Sequence, residues 1–362
     1  MQNPNQMVNT IKNPNSLRRL LWAVDPFSED KSLQRATAVA IKTLTRDSSA
    51  TIEPVYFFSN NLFDGGPLEI PRDGIRQLQQ SGQKELEKIL RTVKLENLKP
   101  LHIISEPYLS VREGVDQINR LAKRWKADLI VTSTHARKGI KRWVLGSFAE
   151  TLLLYSETPL FFVNPLWNRA NTFRHILFPT DFSTESKVVF NQVLNLVKSL
   201  GSHLTLFHKV SYSWPPTVVT AFSPNYIYMD ACERELKSKR KLASTWAGEA
   251  KAKGITVDTW VDQNPDESVA EAIIRQSKKN SSLIAMASQS SPVRATLLGS
   301  TTRKVVRTSP FPVWVLHPNL RVQEESGKVR AIKRDQREPI FSFTKEDIEA
   351  DLQRIQHVKK TA

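Results

Sequence analysis

The strongest constraint on this chain is that one stretch of it is written twice. Val144-Leu145-Gly146-Ser147 leads through Phe148–Thr151 to Thr158-Pro159 and the apolar run Leu160–Val163. Leu297-Leu298-Gly299-Ser300 leads through Thr301–Lys304 to Phe311-Pro312 and the apolar run Val313–Leu316. The two glycines lie 153 residues apart, and so do the two prolines. Each copy reads as a loop ending in Gly-Ser, a helix, a Pro-led turn and a short buried strand. A unit repeated at a fixed offset calls for tandem domains of one architecture.

The rest of the sequence repeats with it. In the first copy, short apolar runs at Leu20–Val24, Ile52–Phe58, Leu101–Ile104 and Leu129–Val131 have the continuous character of strands buried on both faces. Helical spacing separates them over about Ser32–Leu44, Arg72–Val93 and Val111–Trp125. In the second copy, strands are expected at Ile176–Phe178, Leu204–His208, Val257–Val261 and Leu283–Ala285. Helices are expected at about Glu185–Leu200, Asp230–Lys253 and Asp266–Lys278, and an aromatic, Pro-containing loop at Val210–Tyr228. Strands alternating with helices at this pitch predict parallel βαβ units. The expected organisation is a disordered leader at 1–16, a first domain at 17–166, a second at 172–319 and a polar extension at 320–362. Thr344–Lys359 in the extension reads as a short helix capped by Thr344, which would dock on the body or on a partner.

Composition narrows the function. At 362 residues the chain has room for two domains of roughly 150 residues. The net charge of +16 is spread as +7 over 1–170, +7 over 171–320 and +2 over 321–362. A basic surface favours anionic partners, but no basic arm or recognition motif singles out nucleic acid. The single cysteine, Cys232, cannot form an internal disulfide, which favours a reducing compartment. No apolar run approaches the roughly 18 residues of a membrane span, and residues 1–16 have no apolar core like that of a signal peptide. The expected location is cytoplasmic.

In open parallel sheets, ligands bind beyond the carboxyl ends of the strands where strand order reverses. Asp25 and Asp181 stand there, each after the first strand of its repeat. Such a carboxylate can hold a ribose or a metal, or it can cap the following helix. Gly146-Ser147 and Gly299-Ser300 precede helices, where a phosphate could meet backbone N–H groups and the positive end of the dipole, or where the pair is an ordinary helix start. Arg137, Lys138, Lys141 and Arg142, and in the second copy Arg294, Arg303 and Lys304, could add charge to these loops or simply be solvated. His135 has no His or Cys at metal-ligand spacing, and Ser147 and Ser300 have no evident base, so neither points to catalysis.

Taken together, these residues resemble the universal stress protein (UspA) family over about Arg18–Asn164 and Arg174–Pro318, which makes the chain similar to a tandem universal stress protein. The resemblance implies an α/β fold of two open five-stranded parallel sheets, Rossmann-like and adenine-nucleotide alpha-hydrolase-like. It also implies that they pack as a pseudo-dimer with Leu160–Val163 and Val313–Leu316 near the interface. Nucleotide-binding members hold ATP phosphates on a Gly-x-x-Gly-x9-Gly-Ser/Thr loop, with the early Asp near the ribose and phosphates. By that resemblance Asp25, Gly139, Gly146 and Ser147 would serve the first repeat, and Pro179, Thr180, Asp181, Gly299 and Ser300 the second. The two leading glycines are replaced by Ser133 and Ala136 in one copy; in the other the strand register places them on Ala287 and Ser290, whereas the nine-residue spacing back from Gly299 places the second on Gln289. A Cβ at these positions adds bulk where the backbone should touch phosphate. The leading expectation is therefore a non-enzymatic binding or regulatory module with degenerate nucleotide loops, working through protein partners or self-association. The alternatives are an ATP or AMP binder with weak or no hydrolysis, and a basic nucleic-acid-associated protein.

Overall fold

Apolar runs that are buried on both sides become the centre of a sheet. Leu20, Leu21 and Trp22 of the first strand are fully buried, and that strand has a hydrogen-bonded neighbour on each side. The computed structural model describes residues 17–46, 48–58, 72–105, 110–134, 146–165, 167, 173–210, 225–264, 266–288 and 300–317 (backbone only at 72, 225–231 and 300). In the first repeat the elements are β1 (Arg19–Ala23), α1 (Lys31–Thr45), β2 (Thr51–Phe57), α2 (Arg72–Leu90), β3 (His102–Ile104), α3 (Val111–Trp125), β4 (Leu129–Ser133), α4 (Ser147–Tyr155) and β5 (Leu160–Val163). The second repeat has β6 (His175–Pro179), α5 (Thr184–Leu200), β7 (His203–Lys209), α6 (Asn225–Ala252), β8 (Val257–Asp262), α7 (Val269–Asn280), β9 (Leu283–Ala287), α8 (Ser300–Thr308) and β10 (Val313–Leu316).

All ten strands join one sheet in the order β3-β2-β1-β4-β5-β10-β9-β6-β7-β8. Each half is parallel, and the halves meet antiparallel, with Phe161 opposite Trp314. The arrangement is a pseudo-dimer built from one chain, and the carboxyl ends of the two sets of strands leave opposite edges of the sheet. Pro159 and Pro312 sit just ahead of β5 and β10. Each places its carbonyl to accept from Ile130 or Ile284 of the neighbouring strand, at 2.9 and 3.1 Å. Neither needs an N–H there, so proline is tolerated at this edge of the ladder.

Side chains alternate across the sheet. Leu20, Trp22, Phe161, Phe178 and Trp314 face a core with α1, α2, α5 and α6. Leu21, Ile130, Phe162, Leu177 and Val313 face a second core with α3, α4, α7 and α8. Local sequence sets the helix ends. Ser110 with Glu113, and Ser268 with Glu271, form complete capping boxes on α3 and α7. α5 begins on Ser183 and stops at Gly201, whose φ of 60° closes the helix in the left-handed conformation.

Two details differ from expectation. α6 begins at Asn225, inside the stretch read as a loop up to Tyr228; no helix breaker lies between Tyr226 and Met229, so aromatic content alone was a poor sign of irregular structure. Asp25 and Asp181 lie 156 residues apart, whereas the Gly-Ser pairs lie 153 apart. The three-residue difference falls in the turn after the first strand, which runs from Asp25 to the helix cap Asp30 in one repeat and from Asp181 to the cap Ser183 in the other. The aromatic residues of the 210–228 loop before Asn225, Thr344–Lys359 and the leader lie outside the described residues.

Candidate functional site

The first crevice lies above β1 and β4. Asp25 follows β1, and its Oδ1 accepts the Phe27 N–H at 3.0 Å, a bond that closes the turn into α1. Behind it, Tyr56 of β2 packs edge-on to Phe27 with ring centroids 5.5 Å apart. Burial, and then the Asp25 charge, raise the Tyr56 phenol well above its ordinary value. β4 ends on Ser133, which is buried; its hydroxyl accepts from Gln34 Nε2 of α1 at 3.4 Å. Gly146 is the N-cap of α4, with φ −62° and ψ 149° and no side-chain cap bond. Any residue can adopt that conformation, so the distinctive property of glycine here is the missing Cβ. Ser147 is the exposed first residue of α4, and its carbonyl accepts from the Thr151 hydroxyl. Next to it, Phe148 stacks on Phe57, with centroids 6.1 Å apart and planes 14° from parallel. Phe57 ends β2 and Phe148 lies in the first turn of α4, and both pack against the core on the α3/α4 side of the sheet. The ring pair therefore packs on the α3/α4 side of the first repeat.

The second crevice starts from the same strand pairing but has a shorter turn and different chemistry. Val24 N–H donates to Val55, and Thr180 N–H, its counterpart, donates to Phe207, at 3.0 and 2.9 Å. Pro179 closes β6. Thr180 Oγ1 accepts from the Phe182 N–H, and Asp181 Oδ1 accepts from the Ser183 N–H and the Ser186 hydroxyl at 2.9 and 2.6 Å. Desolvation by itself would raise the Asp181 carboxyl. The hydrogen bonds from Ser186 and Ser183 outweigh it and hold the group below its ordinary value. These consecutive bonds also hold Phe182 at φ 62°, a conformation that bulky side chains rarely adopt. The Phe182 ring packs between His208 and Trp246, at 5.2 and 5.1 Å. His208 takes the place of Tyr56. Its Nδ1 donates to the Thr180 carbonyl at 2.7 Å, and burial lowers its pKa. Lys239 of α6 reaches the Asp181 carbonyl at 3.2 Å.

Asp25, Gly146 and Ser147 thus stand at the carboxyl edge of the first repeat, and Pro179, Thr180 and Asp181 at that of the second. Ser300 opens α8, and Gly139 and Gly299 lie outside the described residues. Both aspartates are engaged by the turns that follow them. The cations Arg303 and Lys304 are engaged too, Arg303 with Glu150 across the repeats and Lys304 with Glu271 at 2.9 Å. His208, Lys239 and Gln34 did not emerge from sequence reading. His208 had a usable signal, a polar residue ending the apolar run from Leu204, but Lys239 reaches the site from a charged helix whose sequence marks no single position. Among the described residues, no group of three or more His, Cys, Asp or Glu could hold a metal ion, and no helix is long and apolar enough to cross a membrane.

One ten-stranded sheet made of two parallel halves, each with a crevice where strand order reverses, defines a tandem Rossmann-like α/β protein. The chain belongs to the universal stress protein family, whose model matches residues 16–164 and again 172–317. A universal stress protein of Methanocaldococcus jannaschii is 27% identical over 156 residues, which cover 42% of this chain and 86% of that one. The crystal structure of a universal stress protein from Archaeoglobus fulgidus aligns over 83% of this chain and 96% of that one, with a TM-score of 0.57 at 19% identity. A Pseudomonas aeruginosa protein of unknown function aligns over 84% and 94%, with a TM-score of 0.54 at 13% identity. The likeness to these structures is one of fold.

Proposed function

We propose that this universal stress protein is a non-enzymatic binding or regulatory module of the cytoplasmic stress response, acting through protein partners or self-association. The observation that carries the reading is the side chain of Ser133 at the end of β4, at the first crevice. Ser133 stands, buried and hydrogen-bonded, where nucleotide-binding members of the family have glycine, and the Phe57–Phe148 stack lies on the α3/α4 side of the same repeat. A phosphate chain needs open backbone N–H groups and space at that point. The test is to denature protein purified under native conditions and identify released small molecules by mass spectrometry, with melting curves in millimolar ATP and AMP alongside. No co-purifying nucleotide and no melting shift are expected. Stoichiometric nucleotide, or a saturable shift, overturns the reading.

That outcome would favour a second reading, an adenine-nucleotide binder with weak or no hydrolysis. One feature supports it: Gly146 caps α4 without a side-chain bond, so the first N–H groups of that helix are not claimed by the cap.

A further inference from the structure

The sheet ends on two unlike edges. β3, at one end, is three residues long, whereas β8, at the other, runs for six, Val257–Asp262, without a proline. The Thr256 and Asp262 carbonyls accept from the Leu204 and Val210 N–H groups, both at 3.0 Å, so Asp258, Trp260 and Asp262 turn their backbone groups toward β7. Backbone direction alternates along a strand, so Val257, Thr259 and Val261 turn their N–H and C=O groups outward. Among the described residues, no strand pairs with that side of β8.

Edge strands are ordinarily covered or shielded, because their open backbone groups invite pairing. The middle of β8 is instead exposed on both faces. Thr259 lies on the face where Val257 packs with Trp246 and Ala250 of α6. Asp258 and Trp260 lie on the α7 face. Trp260 is 46% exposed, and Lys279 of α7 sits over its ring with Nζ 4.5 Å from the centroid. Asp258 Oδ2 accepts from His203 Nε2 at 2.9 Å, yet the Asp258 side chain is 75% exposed, so a second cation can reach it.

These positions fit a second copy of the same strand. With two copies antiparallel about a two-fold axis at Thr259, Thr259 opposes Thr259, Val257 opposes Val261, and each such pair exchanges both backbone bonds. Asp258 then falls opposite Trp260 of the other copy in the closely spaced pairs between them, beside the Lys279 that covers that ring. The complementarity occurs twice, once on each side of the axis. Slipping the register by two residues loses it: one slip sets Asp258 against Asp258, and the other sets Asp258 against Asp262, like charges in both cases.

We propose that β8 pairs antiparallel with β8 of a second copy of this chain in the register centred on Thr259, extending one sheet through both molecules. A two-fold contact closes on itself, so it yields a dimer and not a filament. This edge gives a surface to the self-association proposed above, and the assignment rests on that reading.

The test is sedimentation equilibrium of the full chain from micromolar to submillimolar protein. A monomer–dimer equilibrium is expected, with no larger species. Thr259→Pro removes an N–H that β7 does not use, and is expected to abolish the dimer while the protein stays folded. Lys279→Glu sets like charges together on both sides of the axis and is expected to weaken the dimer at least about tenfold. Adding Asp258→Lys to Lys279→Glu restores opposite charges and is expected to recover most of that loss, which a general loss of stability would not do. If Thr259→Pro does not fold, Lys279→Glu and its rescue carry the comparison. A wild type that stays monomeric throughout overturns the proposal, and so does a dimer that Thr259→Pro, or Lys279→Glu, leaves intact. Growth into longer chains also overturns it, since that pairs β8 with β3. Sedimentation reads the edge and released nucleotide reads the crevices, so this proposal and the reading above fail on separate measurements.

Discussion

At Gly114 a methyl group would stand 2.3 Å from the ring of Phe57, which is itself stacked on Phe148. Helix propensity alone favours alanine over glycine there by about 1 kcal/mol. The clash acts against it, and displacing a packed ring costs about 1–3 kcal/mol. Gly114→Ala is therefore expected to destabilise the protein in urea denaturation, and a further Phe57→Leu to recover most of the loss. An unchanged or raised midpoint in Gly114→Ala would refute this. The second repeat shows the complementary solution. Matching the capping boxes aligns Gly114 with Ala272, and matching the strand ends aligns Phe57 with Lys209. Where the ring is absent, a buried methyl fits. The capping boxes themselves were legible as Ser-x-x-Glu in the sequence. The need for glycine at 114 was not, because the ring that forbids a Cβ lies on a different element.

The same pair of positions separates the repeats at the level of elements. The carboxyl ends of β2 and β3 place Phe57 beside Ile104, whereas β7 and β8 place Lys209 beside Asp262. The side chains of Lys209 and Asp262 are 3% and 9% exposed, with Nζ and Oδ2 3.2 Å apart. α7 adds Arg275, which bonds Asp262 at 3.0 Å and also pairs with Glu267. Removing one member of a buried pair leaves a charge without compensation, whereas replacing both by apolar residues is often neutral. Asp262→Ala is expected to lose about 3–5 kcal/mol, and Lys209→Leu with Asp262→Ile to come within about 1 kcal/mol of wild type, both read from denaturant midpoints. A double variant as unstable as the single one would show that the ions, not the packing, hold this edge. Sequence reading placed both strands but could not see this pair, since 53 residues separate its members.

On the scale of the whole molecule, the antiparallel seam makes one core out of two repeats. Phe161 and Trp314 meet edge-on across it at 5.6 Å, and Phe173 and Trp167 extend the aromatic packing. His317 lies buried just beyond β10, with Nδ1 against the Ser288 hydroxyl and the Thr158 carbonyl of the first repeat nearby. Desolvation lowers its imidazole from 6.5 to about 4, despite the opposing Thr158 carbonyl. In that window the unfolded chain binds a proton that the folded chain refuses, so acid favours unfolding. The contribution is complete above about pH 6.5, and on the order of 3 kcal/mol is lost by about pH 4. The advantage of wild type over His317→Gln in urea should therefore shrink steadily from pH 7 to pH 4. A pH-independent difference would rule out this linkage. Asn164, at the matching place after β5, is also buried but cannot titrate, so only one side of the seam carries the sensitivity.

What the sequence determined by itself was everything written locally or written twice. The duplication set the architecture, the apolar runs set the strands, and Ser110, Ser183 and Ser268 set helix starts, because each signal acts within a few residues of where it stands. The tertiary structure alone decided how those parts are used. It turned Asp25 and Asp181 toward their own helices, engaged Arg303 and Lys304 in ion pairs, laid Phe57 over Gly114 and buried Lys209 with Asp262. Each of these outcomes depends on the distance between side chains on separate elements and on how much water reaches them. Periodicity carries neither quantity; packing two repeats into one sheet fixes both.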